Sequence, residues 1–140
     1  MIKLFYAPHT CALASHIALE EAGAAYTTVR VDFASNGQRQ PEYLAVNPKG
    51  RVPALVTDSG TLTETPAILA FIAQSFPKAG LAPFDDPFAF AQVQAFNSYL
   101  CSTAHVRRWI WCTATAAARL SSARAASPSA GVTCTPSARP

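Results

Sequence analysis

The chain has no acidic residue beyond Asp86 and no lysine beyond Lys78. Residues 87–140 carry five arginines and no other charge, a net of +5, whereas residues 1–86 carry a net of −2. The formal charge of +3 is therefore a property of the tail, and it gives no ground for nucleic-acid binding by the rest. No stretch approaches the roughly 18 apolar residues of a membrane span. The apolar run Leu4–Ala7 is cut by Pro8 and His9, and only Lys3 supplies positive charge, so no signal peptide is expected and the cytoplasm is the expected location. Cysteine is scarce. Cys11, Cys101, Cys112 and Cys134 include no C-x-x-C pair, so zinc-ribbon spacing is missing and no metal site is expected. In a reducing compartment these four are expected as free thiols. Disorder over the whole length is excluded, because 50% of the residues are hydrophobic. A length of 140 residues suits one domain, or one small domain and part of another.

Ile2–Tyr6 is a short apolar run ended by Ala-Pro-His and reads as a buried strand. Thr10 reads as the N-cap of a helix running from about Cys11 to Glu21, stopped by Gly23. Tyr26–Val31 is rich in β-branched residues and reads as a second strand. After a polar loop, residues 41–46 suit a short helix with proline at its first position, and Asn47-Pro48-Lys49-Gly50 suits a turn. Residues 52–57 and 61–63 read as a hairpin closed by Asp58-Ser59-Gly60. Thr65-Pro66 opens a helix in which Thr65 caps, Ile68, Leu69 and Ile72 are buried, and Pro77 marks the stop. The order β-α-β-α-β-β-α predicts an α/β sandwich with a mixed sheet over about 80 residues, its first strand pair parallel with a right-handed crossover.

Residues 77–87, with three prolines, read as a linker. A helix follows, with Ala89, Val93, Phe96, Leu100 and Thr103 on one stripe. In residues 113–140, 25 of 28 are Ala, Ser, Thr, Pro, Arg or Gly, a composition too poor in apolar groups to offset its ordering entropy. The expected organisation is a folded domain at 1–80, a linker and first helix of an incomplete helical domain at 81–112, and a low-complexity tail at 113–140.

Three places in this order carry chemistry. Cys11 stands where a strand gives way to a helix, facing the positive end of the helix dipole and unpaired N–H groups, a setting for reactive thiols; a small buried residue would fit there too. The Val52-Pro53 bond lies between loop and strand, where a cis isomer would leave the Val52 N–H and C=O open to an extended peptide. Glu64-Thr65 precedes Pro66 at a helix start. An amino-acid headgroup would fit it, with its carboxylate on the N–H groups and the Thr65 hydroxyl and its ammonium on Glu64; plain helix capping by Thr65 is the alternative. A thiol, a backbone edge and an amino-acid clamp together describe a site for a small thiol peptide.

The stretches 3–11 (Lys-Leu-Phe-Tyr-Ala-Pro-His-Thr-Cys), 16–23 (His-Ile-Ala-Leu-Glu-Glu-Ala-Gly), 41–55 (Pro-Glu-Tyr-Leu-Ala-Val-Asn-Pro-Lys-Gly-Arg-Val-Pro-Ala-Leu) and 62–69 (Leu-Thr-Glu-Thr-Pro-Ala-Ile-Leu) run collinearly over residues 1–76. In them the chain resembles the N-terminal, thioredoxin-like domain of the glutathione S-transferases, the bacterial beta-type enzymes in particular. The resemblance implies glutathione as co-substrate, a small electrophile as second substrate, detoxification chemistry and homodimers. It implies that Cys11 contacts the glutathione sulfur or forms a mixed disulfide with it, and that Tyr6 lines the same pocket. Val52 would pair with the glutathione backbone beside a cis Pro53, and Glu64 and Thr65 would hold the γ-glutamyl headgroup. Residues 97–105 resemble the first helix of the family's helical second domain, from which His105 would reach toward the sulfur.

The chain departs from the family pattern at Ala12, where a serine is common, and at Ser98, where an asparagine often helps bind glutathione. After His105 the family continues into amphipathic helices, whereas this chain turns to Arg107-Arg108-Trp109-Ile110-Trp111-Cys112 and its low-complexity tail. A truncated or frameshifted end is the expectation there. The leading functional reading is glutathione conjugation or thiol–disulfide exchange through Cys11, with glutathione as the second thiol because Ala14 stands where a resolving cysteine would. The alternatives are a non-catalytic glutathione-binding module and an inactive fragment of the family.

Overall fold

The computed structural model describes residues 1–105. The chain divides into two units, Met1–Ser98 and Tyr99–Pro140. The expected tail at 113–140, the Arg107–Cys112 segment, Cys112 and Cys134 lie outside the described residues.

In the first unit, strand β1 (Ile2–Tyr6) alternates its side chains across the sheet. Leu4 is fully buried in one cluster with Leu19, Leu55, Ile68 and Ile72. Phe5 faces the opposite side and packs on the second cluster, formed by Ala7, Ala12, Val31, Tyr43 and Val52. Its ring lies 5.7 Å from that of Tyr43, centroid to centroid. This period of two makes β1 the central member of a sandwich. The sheet order is β2-β1-β3-β4, with β2 (Tyr26–Arg30) parallel to β1, β3 (Ala54–Thr57) antiparallel to β1, and β4 (Gly60–Thr63) antiparallel to β3. The expected mixed sheet and α/β sandwich are what the structure shows. Helices α1 (Ala12–Glu21) and α3 (Thr65–Ser75) supply the first cluster, and the short α2 (Pro41–Leu44) supplies Tyr43 to the second.

The ends of α1 follow from local chemistry. The Thr10 hydroxyl donates to the Ala7 carbonyl at 2.7 Å and accepts from the Ala12 N–H at 3.3 Å, so it braces the turn, but the N-cap expected at Thr10 falls one residue later, at Cys11, where no side chain caps the helix. At the other end the Gly23 N–H bonds the Glu20 carbonyl and the Ala24 N–H bonds the Leu19 carbonyl, with Gly23 at φ +61°. That pair of bonds is a Schellman stop, which needs a residue tolerant of positive φ.

Two expectations are corrected. Residues 52–57 were read as one strand, but β3 begins at Ala54, because Pro53 has no N–H to give to a ladder. Leu69 was placed in the core, but it is only half-buried and lines an apolar groove, while Ile72 and Ala73 are buried one turn later.

Helix α4 (Pro87–Tyr99) starts where the Asp86 carboxylate accepts the N–H groups of Phe88 and Ala89 at 2.9 and 3.0 Å, with Pro87 as first residue. The expected stripe splits. Val93 is half-buried and lines the groove with Phe90 and Asn97, whereas Phe96 is 60% exposed. A π-helical turn, Leu100–Ala104, belongs to the second unit. Among the described residues no helix is long and apolar enough to cross a membrane.

Candidate functional site

Cys11 carries a free, half-buried thiol at the boundary of α1. Its Sγ donates to the carbonyl oxygen of Val52 at 3.5 Å. Forty-one residues of chain are closed by that contact, and it brings together two of the groups that the sequence singled out separately. The Val52–Pro53 peptide is cis. The Val52 carbonyl is thus engaged by the thiol rather than open.

The loop before Val52 is held from below. Asn47, 1% exposed, donates from Nδ2 to the Arg51 carbonyl at 2.7 Å and accepts the Lys49 N–H on Oδ1 at 3.1 Å. The Tyr43 hydroxyl donates to the same Arg51 carbonyl at 2.5 Å. Burial raises the Tyr43 phenol above its ordinary value, which keeps it in the donating form. Gly50 turns the chain at φ +60°, and a side-chain carbon there would stand 2.9 Å from the Gln38 carbonyl oxygen. Only glycine fits both demands. This layer fixes the approach to Val52, and sequence reasoning missed it apart from the turn itself.

Glu64 is the N-cap residue of α3, at φ +71°, and Thr65 is the first helical residue with Pro66 second. The reading that Thr65 caps its helix is corrected: the cap position falls one residue earlier, and no side chain caps α3. The Thr65 hydroxyl makes no hydrogen bond among the described residues. The backbone N–H groups of Thr65 and Ala67 open the helix beside it, where orphan donors and the dipole favour an anion. Glu64 in turn holds the Lys49 ammonium at 2.7 Å on Oε1, and the same ammonium lies 3.3 Å from the Thr63 hydroxyl. Lys49 was not singled out from the sequence. Fifteen residues separate it from Glu64, and only the fold brings the pair together. The Asn-Pro-Lys-Gly turn directly ahead of Val52-Pro53 was the available signal.

Tyr6 and His105 stand differently. The Tyr6 ring packs on His16 of α1 at 5.7 Å between centroids, and His16 packs edge-on against Tyr26 at the same distance. No hydrogen bond links Tyr6 and Cys11 among the described residues. His105 is exposed at the end of the π-helical turn, in the second unit, and is described there by itself. The apolar groove lined by Ile17, Leu69, Phe90 and Val93 includes none of Cys11, Val52, Glu64 or Thr65. Among the described residues no group of three His, Cys, Asp or Glu is arranged to hold a metal.

A central β1, a thiol at the head of α1 and a cis proline before β3 define a thioredoxin-like domain built around a cysteine. Comparison with known proteins makes this specific. The family "glutathione S-transferase, N-terminal domain" matches residues 1–74, and the chain belongs to that family. It is 43% identical over 107 residues to glutathione S-transferase GstA of Escherichia coli O157:H7, covering 74% of this chain and 53% of that protein. A glutathione transferase homologue from Sulfitobacter, solved with bound glutathione, superposes with a TM-score of 0.72 at 51% identity, over 76% of this chain and 51% of that one. A sphingomonad glutathione S-transferase in complex with glutathione gives 0.67 at 46% identity, over 74% and 52%. The chain spans about half the length of these relatives.

Proposed function

We propose that this chain binds glutathione in an extended pose from the head of α3 to the head of α1, and that Cys11 acts on its sulfur. The γ-glutamyl carboxylate takes the Thr65 hydroxyl and the N–H groups of Thr65 and Ala67, and the ammonium takes Glu64. The peptide backbone pairs with Val52 beside Pro53, and the thiol ends at Cys11. The observation that carries the reading is the 3.5 Å contact of Cys11 Sγ with the Val52 carbonyl, which sets thiol and peptide-binding edge side by side. The two relatives solved with glutathione support the ligand.

Two reactions follow. In conjugation, the glutathione sulfur attacks as thiolate on a small electrophile, and the leaving group departs with the electron pair. In thiol–disulfide exchange, the Cys11 thiolate attacks the glutathione sulfur of a mixed disulfide between glutathione and a small thiol. A Cys11–glutathione disulfide forms, the small thiolate leaves, and a second glutathione resolves the adduct, releasing oxidised glutathione and the Cys11 thiolate. On this reading Tyr6 lines the sulfur pocket. A homodimer is the assembly.

Incubation with oxidised glutathione followed by mass spectrometry of the intact chain tests the role of Cys11. One adduct on the wild type and none on Cys11→Ser supports it; equal adduct on both refutes it. The non-catalytic module is favoured by one observation: Cys11, Val52, Glu64 and Thr65 all lie within the first unit, and His105 does not. Binding without turnover of a chlorodinitrobenzene would select that reading.

A further inference from the structure

Within the chain itself Glu64 holds an ammonium. Lys49 Nζ sits 2.7 Å from Oε1 of Glu64 and 3.3 Å from the Thr63 hydroxyl, at the place where the proposed headgroup brings its own ammonium. The two cations compete for one carboxylate. The Lys49 backbone is anchored through its N–H on buried Asn47, but its side chain is 55% exposed and its long stem can swing. An amino-acid headgroup carries both charges on one carbon. When its ammonium displaces Lys49 from Glu64, its carboxylate arrives beside the freed lysine. One exposed ion pair is thereby exchanged for two.

We propose that Lys49 is a specificity residue of the headgroup site: it pairs with Glu64 within the chain and, when a ligand's ammonium takes Glu64, with the ligand's α-carboxylate. This deepens the glutathione reading and rests on it. The consequence is selection for an intact zwitterion. A ligand with the ammonium alone must evict Lys49 and leaves it unpaired, whereas a zwitterion gives it a new partner.

Calorimetry on the full chain tests this with two ligands. One is glutathione; the other is its analogue with 4-aminobutyryl in place of γ-glutamyl, which keeps the ammonium and lacks the α-carboxylate. Replacing Lys49 with methionine keeps the stem and removes the charge, and far-ultraviolet circular dichroism checks that the variant folds. The expected result is that Lys49→Met weakens glutathione by up to about fivefold, the range of one exposed ion pair. The same change leaves the analogue unaltered or binds it more tightly, and Lys49→Arg restores glutathione binding. Equal weakening of both ligands would show a merely structural or general electrostatic role and would overturn the proposal, as would no change for either. A folded wild-type chain that binds neither ligand would overturn the glutathione reading itself, and this inference with it.

Discussion

Asn47 is the residue on which the peptide-binding edge depends. It is fully enclosed, and it ties the Arg51 carbonyl and the Lys49 N–H together. Asn47→Ala leaves the Lys49 N–H without its acceptor and removes one of two donors from a carbonyl, at a cost of about 1–3 kcal/mol. Urea unfolding should show that loss, and glutathione affinity should fall in the same variant because Lys49 and Val52 lose their support. Tyr26 offers a second test at this scale. Burial, and then the hydrogen bond and charge of Glu20, push its phenol up to about 12. An unfolded tyrosine ionises near 10. Between these values the folded chain keeps a proton that the unfolded chain has released, so this group's contribution to stability is lost as pH rises through 10 toward 12. Ultraviolet titration should find Tyr26 and Tyr43 ionising late, and Glu20→Gln should move only Tyr26, part of the way back toward 10. Neither residue was legible as important in the sequence. Asn47 looked like a turn residue, and its burial depends on Tyr43 and Arg51 meeting it.

The elements were more legible than their edges. The alternation of Leu4 and Phe5, the β-branched run at 26–30, and the Asp-Ser-Gly hairpin are local signals, and the sheet follows them. Gly23 stops α1 for the reason its position suggests. Where the reading slipped, a longer-range effect decided. The α3 cap moved to Glu64, whose positive φ has no sequence signature, and the Leu69 position turned toward a groove rather than the core. The helix at α4 shows the limit of periodicity, because a stripe predicts which residues share a face and not which face is covered. Leu19, wholly buried between sheet and helices, contrasts with Phe96, 60% exposed. Leu19→Ala is expected to cost about 2–5 kcal/mol, and Phe96→Ser less than about 0.5 kcal/mol. Comparable losses from the two substitutions in denaturant titrations would mean that Phe96 is covered in solution.

At the scale of the molecule, the candidate site draws on three separate stretches of chain: the head of α1, the loop and edge at 47–53, and the head of α3. Cys11, Val52, Glu64 and Thr65 were recognisable one by one, each by its place at an element boundary. Their convergence required the antiparallel β1–β3 pairing and the β3–β4 hairpin to set those boundaries at one end of the sheet. The Lys49–Glu64 pair was invisible for the same reason, since it exists only after folding. Family membership and the geometry of the first unit lead to one central claim, that this unit carries a working glutathione site. Calorimetric titration of glutathione into the reduced chain at pH 7, beside the Glu64→Gln variant, tests it most directly. The account predicts saturable one-site binding that weakens at least severalfold when Glu64 loses its charge, as expected for a charge-assisted hydrogen bond of about 1.5–3 kcal/mol. Absence of binding by a folded, monodisperse wild-type chain, or binding indifferent to Glu64→Gln, would contradict it.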